Sequence, residues 1–175
     1  MKQTITIEEY NIKWENEFNK LQSIINNAME ELVLSVEHVG STAVKGLVSK
    51  PILDIDIVIE EYGIFLEVVK RLETIGYYHQ ADWSFKGRET FGRKDAFVPW
   101  SEENTAWMEH HLYVCDKNSE ELRRHIAFRN YLREHEDVAI EYGRLKEKLA
   151  RESKNRTSYS EGKTAFITNI LEKIN

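Results

Sequence analysis

Apolar residues recur at steps of three and four over the first 32 positions, which is the spacing of one face of an amphipathic helix. This apolar face consists of Tyr10, Trp14, Phe18, Leu21, Ile25, Ala28 and Leu32. Two short segments rich in β-branched residues follow at 33–39 and 52–59, and each of them predicts a strand. The segment 62–75 predicts a second helix, which ends at Gly76.

The pattern changes along the rest of the chain. Between residues 76 and 114, short apolar segments predict strands at 76–80, 83–86, 95–98 and 110–114, with a polar loop at 99–108. Ser119 is a suitable N-cap for a helix that continues to residue 132, because two glutamates follow it in the first turn. Further helices are predicted at 137–150 and after a capping box formed by Ser158 and Glu161.

These elements predict a single domain, with a mixed α/β core over residues 1–117 and a helical part over residues 118–175. The 175 residues are 41% hydrophobic and 31% charged, which is typical of a soluble globular protein. The sequence shows neither an apolar stretch of membrane-spanning length nor a signal-peptide pattern, and it holds one cysteine. We therefore expect a cytoplasmic protein with no membrane partner.

The charge is distributed unevenly along the chain. The formal net charge is −6, and residues 1–117 carry 12 basic and 20 acidic side chains. A general nucleic-acid surface needs a basic patch, so the acidic core argues against nucleic-acid binding. A pocket that uses a metal ion agrees better with this balance, although acidic solvated surfaces are also common.

The first candidate for chemistry is the pair Gly40 and Ser41, directly after the strand predicted at 33–39. A glycine at this place lets the backbone approach a phosphate closely, and the serine hydroxyl adds a hydrogen-bond donor. A Gly-Ser pair after a strand is more often an ordinary turn. The pair therefore becomes informative only together with a second feature.

That second feature is Asp54 and Asp56 within the apolar strand at 52–59. Side chains alternate across a strand, so both carboxylates lie on the same face, while Leu53, Ile55 and Ile57 lie on the other. Two adjacent like charges repel unless a cation lies between them, and magnesium prefers such oxygen ligands. A solvated strand face is the alternative. Together with the Gly-Ser corner, however, the two acids predict a pocket for phosphoryl or nucleotidyl transfer.

These motifs resemble the GrpB family, a group of small bacterial proteins placed in the nucleotidyltransferase superfamily. The matching positions are His-Val-Gly-Ser-Thr-Ala-Val at 38–44, Gly-Leu at 46–47, Lys-Pro-Ile at 50–52, Asp-Ile at 54–55, His-Leu-Tyr-Val at 111–114, the segments 128–133 and 142–146, Lys163, and Phe-Ile at 166–167. The likeness runs from about Trp14 to Ile167. One difference is Lys45, where the family often has proline.

The resemblance implies an α+β fold, with a nucleotidyltransferase-like mixed sheet that is largely antiparallel, flanking helices and additional C-terminal helices. It implies that Gly40, Ser41 and Thr42 hold a nucleoside triphosphate and that Asp54 and Asp56 hold Mg²⁺. A third carboxylate on a later strand normally completes such a site. Here that strand offers Glu109 or His111. The histidine is a poorer magnesium ligand but could act as a base, and packing is the alternative role for it.

Four basic residues are predicted to contact the phosphates of the nucleotide: Lys50, Arg129, Lys146 and Lys163. For the three in the helical part, ion pairing on a helix surface is the alternative. The leading hypothesis is a Mg²⁺-dependent nucleotidyltransferase that acts on an unknown small-molecule or protein acceptor. A non-catalytic nucleotide-binding or regulatory module with a degenerate site is the second hypothesis. An interaction protein with a vestigial site is the third.

Overall fold

The centre of the molecule is a five-stranded mixed sheet, seen in a computed structural model that describes residues 5–174. The strands are β1 Ser35–Val39, β2 Leu53–Ile59, β3 Tyr77–His79, β4 Glu89–Arg93 and β5 His110–Asp116. Their order in the sheet is β1-β2-β5-β4-β3. Among the strands of the described residues, only the neighbours β2 and β5 are parallel. The predicted largely antiparallel sheet of an α+β protein is therefore confirmed.

In the described part of the chain, five helices flank the sheet. They are α1 Lys13–Met29, α2 Phe65–Thr74, α3 Glu120–Glu134, α4 Glu136–Glu152 and α5 Arg156–Ile174. The last three follow β5 in direct succession, so the change of character predicted near residue 118 corresponds to the end of the sheet. Within residues 5–174, no helix combines the length and the apolar character needed to cross a lipid bilayer.

Alternation along β2 assigns each of its side chains to one of two environments. Leu53, Ile55 and Ile57 are fully buried in the main core, where they meet the apolar faces of α1 and α2. Asp54 and Asp56 project from the opposite face, as their spacing predicts. This face is covered by the C-terminal helices, so the polar residues of the strand lie inside the molecule rather than on an open sheet surface.

The C-terminal helices are held on the sheet by a separate apolar cluster. Val44 and Leu47, in the segment between β1 and β2, pack against Leu132 of α3 and against Ala139 and Tyr142 of α4. Burial of these side chains attaches the helical part next to the Gly-Ser corner. The cluster therefore determines what faces the polar side of the sheet.

The region between β3 and β5 differs from the prediction. Neither 83–86 nor 95–98 forms a strand; Ala81–Trp83 is a 3₁₀ turn, and the missing strand is β4. In β4 only Phe91 is buried, so the hydrophobic pattern gives little indication of a strand there. Its conformation depends on pairing with β3 on one side and β5 on the other, which local sequence does not encode.

The helix caps are partly as predicted. Ser119 caps α3, because its Oγ accepts a hydrogen bond from the N–H of Leu122 at 3.2 Å. Helix α5, in contrast, begins one turn earlier than its predicted capping box. The Oδ1 of Asn155 accepts from the N–H of Ser158 at 2.9 Å, and the Oγ of Ser158 accepts from the N–H of Asn155 at 3.3 Å. Asn155 is thus the cap, and Ser158 is its reciprocal partner.

Candidate active site

A cavity of about 470 Å³ lies between the polar face of the sheet and helices α3 to α5. We call its two sides the sheet wall and the helix wall. The sheet wall includes Gly40, Ser41, Lys50, Asp54, Arg88, His111 and Tyr113. The helix wall includes His125, Phe128, Tyr142, Lys146, Tyr159 and Lys163. A volume of this size is in the range of small-molecule sites.

The Gly-Ser corner faces Asp54 directly. Strands β1 and β2 pair so that Val39 lies opposite Asp54, and Gly40 then turns the chain with φ 71° into the 3₁₀ turn Ser41–Ala43. A Cβ atom on residue 40 would collide with the Asp54 carboxylate. Glycine is therefore required here both for the left-handed backbone and for the close approach to the acid. The predicted juxtaposition of corner and carboxylate is present.

Asp54 is the acid that is open to the cavity. Its neighbour on the parallel strand β5 is His111, and the Nδ1 of His111 donates to the Asp54 Oδ1 at 3.0 Å. The two side chains are 34% and 48% exposed, so solvent or a ligand reaches both. Nδ1 is the ring nitrogen used in this bond, which leaves Nε2 as the second polar atom of the ring.

Asp56 is enclosed. Its side chain has no exposed surface, because the Nδ1 of His125 on α3 donates to its Oδ2 at 2.7 Å and the imidazole covers it. Burial raises the pKa of Asp56, and the bond from His125 offsets part of that effect. The Oδ1 of Asp56 is buried with no hydrogen-bond partner among the described residues. A buried carboxylate oxygen without a hydrogen-bond partner lowers the stability of the fold, and a bound cation would offset that loss.

These acids fit a magnesium ion in part. Mg²⁺ is commonly held by one or two carboxylates, with water and substrate phosphates as its other ligands. Asp54 supplies a carboxylate that faces the cavity, whereas the unpartnered Oδ1 of Asp56 is buried behind His125. Within residues 5–174, no group of three or more His, Cys, Asp or Glu side chains is arranged to hold a metal ion. The predicted third ligand is thus lacking, and any magnesium site here rests on two acids.

Three lysines converge at the end of the cavity near Ser41. The Nζ atoms of Lys50 and Lys163 lie 5.1 and 4.5 Å from the ring centre of Tyr159. The Nζ of Lys146 lies 5.0 Å from the ring centre of Tyr142 and donates to the carbonyl of Val48. We call Lys50, Lys146 and Lys163 the lysine cluster.

The electrostatics of the lysine cluster favour an anion. Burial, with the charges of the neighbouring lysines, lowers the pKa of Lys146 to about 7. Burial and the charge of Lys50 lower the pKa of Lys163 to about 8. Both shifts show that the ammonium groups repel one another in a poorly solvated space. A multiply charged anion in this end of the cavity would relieve that repulsion.

Four predicted site residues do not line the cavity: Asp56, which is enclosed as described above, and Arg129, Thr42 and Glu109. Arg129 points to the edge of β1, where its Nη1 donates to the Glu37 Oε2 and to the His38 carbonyl, both at 2.9 Å. Thr42 is buried, with its Oγ1 2.9 Å from the Nε2 of His38. Glu109 is exposed just before β5 and does not line the cavity.

Backbone geometry explains the positions of Arg129, Thr42 and Glu109. Helix geometry turns successive residues by about 100°, so Phe128 faces the cavity while Arg129 faces β1. The 3₁₀ turn directs Thr42 into the interior behind Ser41. On β5, His111 rather than Glu109 is paired with Asp54, so the histidine occupies the position for which an acid was the alternative prediction.

Comparison with known proteins shows the family to which the chain belongs. The sequence model of the family described as GrpB protein matches residues 4–173. The chain belongs to the GrpB family. UPF0157 protein BH1888 of Halalkalibacterium halodurans is 31% identical, over 98% of this chain and 83% of its own length. Glutamate-rich protein GrpB of Alkalihalophilus pseudofirmus is also 31% identical, over 92% of this chain and 90% of its own length.

Solved structures extend the comparison to the fold. The crystal structure of conserved protein GrpB from Enterococcus faecalis superimposes with a TM-score of 0.80 and 32% identity, covering 97% of this chain and 96% of that one. Cid1 in complex with the UTP analogue UMPNPP gives a TM-score of 0.57 at 11% identity, covering 88% of this chain and 48% of that one. The GrpB chain therefore has a nucleotidyltransferase-like fold.

Several residues of this GrpB cavity were absent from the sequence prediction. They are Arg88, Tyr113, His125, Tyr142 and Tyr159. Strand alternation placed Tyr113 on the same face as His111, and that signal could have been used. His125 belongs to a helix whose docking the sequence does not show, so its pairing with Asp56 had no local signal.

Proposed function

We propose that this GrpB protein binds a nucleoside triphosphate together with Mg²⁺ and transfers the nucleotidyl group to a small-molecule or protein acceptor. The observation that supports it is the arrangement of the Gly40–Ser41 corner, Asp54 and the lysine cluster around one cavity. A phosphate-holding loop, carboxylates for a cation and separate positive charges are the parts that phosphoryl-group chemistry requires. The nucleotidyltransferase-like fold agrees with this function.

The triphosphate would lie between the corner and the lysine cluster. Gly40 allows the backbone to come close, and Ser41 offers a hydroxyl at the same end. Lys50, Lys146 and Lys163 would balance the charge of the phosphates as point charges. The helix wall also presents Phe128 and Ile167, which give an apolar surface for the nucleoside.

Asp54 and Asp56 would hold the magnesium ion. When bound, such an ion neutralises charge on the reacting phosphate. His111 keeps the Asp54 carboxylate in position through its 3.0 Å bond. The His125 ring covers Asp56, so this carboxylate is reached only after the ring moves aside. The helix wall would exclude water from the phosphate.

The transfer is a displacement at phosphorus. A hydroxyl oxygen of the acceptor forms a bond to the α-phosphorus, and the bond from the α-phosphorus to the bridging oxygen breaks. Pyrophosphate leaves with the electron pair on that oxygen, and the hydroxyl proton passes to solvent. We expect a small-molecule or protein acceptor rather than a nucleic acid, because the mixed α/β core is acidic.

The experiment is a melting-temperature screen of the purified chain with ATP, GTP, CTP and UTP, each with and without Mg²⁺. At least one nucleotide is expected to stabilise the protein, and more strongly with Mg²⁺. Mass spectrometry of incubations with cell-extract metabolites and proteins then tests for an added nucleotidyl group and for released pyrophosphate. If no nucleotide changes the melting temperature at millimolar concentration, the proposal is wrong.

A second candidate function is nucleotide binding without turnover. Two observations favour it: the position paired with Asp54 on β5 holds His111 rather than an acid, and Asp56 is enclosed by His125. This candidate predicts the same thermal stabilisation but no transferred group with any acceptor. A single mass-shifted product that depends on Asp54 would exclude it.

A further inference from the structure

Arg88 has a surrounding unlike that of the other cations of the cavity. It follows a turn at the edge of the sheet wall, and its guanidinium carbon lies 4.4 Å from the ring centre of Phe85 and 4.4 Å from that of Tyr113. The guanidinium is thus held between two aromatic rings. Stacking of this kind fixes the plane of the group, so little freedom is lost when it binds a ligand.

The hydrogen-bonding capacity of Arg88 is largely unused. None of the ion pairs found among residues 5–174 involves it, and its Nε is buried with no hydrogen-bond partner in that part of the chain. The nearby Arg124 differs, because its Nε lies 3.6 Å from the Oε1 of Glu121. Arg88 is therefore a pre-oriented cation on the cavity wall that forms no direct ion pair within residues 5–174, and Asp56 is the acid on which its charge acts.

Arg88 lies at the far end of the cavity from the lysine cluster. On β5, Tyr113 comes two residues after His111, which is about 7 Å further along the strand. Arg88 stacks on this tyrosine, beside the level of Asp56. The lysine cluster lies beyond the other end of the acid pair, next to Ser41 and Tyr142. Along the strand direction the order is lysine cluster, Asp54, Asp56 and Arg88, with Asp56 buried behind the cavity surface.

We propose that Arg88 binds an oxyanion, a carboxylate or a phosphate, on the acceptor molecule. This inference depends on the proposed function, which requires an acceptor molecule, and it adds the chemical class of that acceptor. The three lysines already provide for the charge of a triphosphate, and the two acids separate them from Arg88. A guanidinium recognises both oxyanions through two parallel N–H bonds. An acceptor held there would present its hydroxyl near Asp54.

The test uses the full chain, labelled with nitrogen-15, and follows the Nε–H signals of its arginines by nuclear magnetic resonance. The probes are glycerol 3-phosphate, 3-hydroxybutyrate and neutral glycerol, added with and without Mg²⁺ and a non-hydrolysable triphosphate. The Arg88 signal, identified by its loss in Arg88→Lys, should move with at least one anionic probe and stay in place with glycerol. Phosphate and carboxylate probes distinguish the two sources of the oxyanion.

Two variants sharpen the result. Arg88→Gln should weaken affinity for the effective anion by about tenfold, while the stabilisation by nucleotide stays as in the wild type. Phe85→Leu keeps the charge of Arg88 but removes one of the two rings that hold it, and it should weaken the affinity for the anion several-fold. The matched control is Lys86→Gln, an exposed cation in the same turn that does not line the cavity; it should change neither response.

Two results would overturn the inference: no movement of the Arg88 signal with any anion, or a loss of nucleotide stabilisation in Arg88→Gln, which would place Arg88 in the nucleotide site. A failure of the proposed function would give a different result. In that case no nucleotide stabilises the wild type, while the Arg88 signal still moves when an anion is added without nucleotide.

Discussion

The two walls of the cavity are held in position by different kinds of interaction. On the sheet wall, Asp54 and His111 are aligned by the backbone ladder of two adjacent strands, so their separation is set by strand pairing. On the helix wall, Lys146 and Lys163 come from separate helices, which are attached to the sheet by an apolar cluster around Val44 and Leu47. The geometry of the sheet wall therefore depends on strand register, and that of the helix wall depends on how the helices pack against the sheet.

The walls also carry different charged groups. The sheet wall holds Asp54, the acid that is open to the cavity, and two of the three lysines near Ser41, Lys146 and Lys163, come from the helix wall. The proposed complex of magnesium and triphosphate needs both kinds of charge, because the acids would hold the cation and the lysines would hold the anion. Damage to the sheet wall should therefore remove the metal-dependent chemistry, whereas damage to the helix wall should weaken phosphate affinity. The following predictions separate these two effects.

The largest effect is expected from Asp54→Asn. This change removes the negative charge that is open to the cavity, and metal assistance is worth several kcal/mol of barrier, so transfer should fall by at least about 100-fold. Initial rates of pyrophosphate release measure it. The control is Glu109→Gln, which alters an exposed acid near the same strands and should leave the rate unchanged. Equal rates in Asp54→Asn and the wild type would refute the assignment of the sheet wall.

Gly40→Ala should be the next largest perturbation, and Gly46→Ala is its matched control. Both glycines have a positive φ, 71° and 81°, so alanine costs backbone strain of about 1 kcal/mol or more at each. Only at residue 40 does the new Cβ meet a neighbour, the Asp54 carboxylate, while nothing lies within 4 Å at residue 46. We expect the melting temperature to fall in both variants and nucleotide stabilisation to disappear only in Gly40→Ala.

Lys163→Met tests the helix wall. Loss of one partly buried charge beside the triphosphate should weaken nucleotide affinity by about tenfold and leave the rate at saturating nucleotide close to normal. Titration calorimetry measures the affinity. Lys154→Met, at an exposed position before α5, should bind like the wild type. A rate loss as large as that of Asp54→Asn would mean that the two walls do not have separate roles.

Affinity for nucleotide should also fall as pH rises from 7 to 9. In the free protein the pKa of Lys146 is lowered to about 7 and that of Lys163 to about 8, so both amines lose their charge over this interval. A bound triphosphate favours the charged amines and raises their pKa, which means that binding takes up protons. We expect roughly tenfold weaker binding at pH 9 and a smaller decrease in Lys163→Met. Calorimetry in buffers of different ionisation enthalpy measures the proton uptake.

The smallest effect on the cavity is expected from Thr42→Val. The Thr42 hydroxyl is paired with His38 in the interior, so its removal should cost about 1–2 kcal/mol of unfolding free energy and leave nucleotide affinity unchanged. Chemical denaturation and titration calorimetry give the two quantities. A marked loss of nucleotide affinity would mean that Thr42 belongs to the nucleotide site, contrary to its buried position.

The same contrast separates what could be predicted from what could not. The sheet wall was predictable because strand alternation has a period of two, which placed Asp54 and Asp56 together and His111 on the matching face of β5. The roles of Arg129 and His125 were not predictable. They lie four residues apart on the same face of α3, and only the position at which that helix crosses the sheet decides that His125 meets Asp56 while Arg129 meets Glu37 of β1.

The sequence by itself determined the family, the α+β class, the polar face of β2 and the glycine corner, because these depend on local periodicity and on motifs that are close together in the chain. Tertiary structure alone decided that β4 is a strand, that Asp56 is sealed by a histidine 69 positions later, and that three lysines share one end of the cavity. Such contacts depend on how separately formed elements pack, and packing joins residues whose distance along the chain carries no local signal.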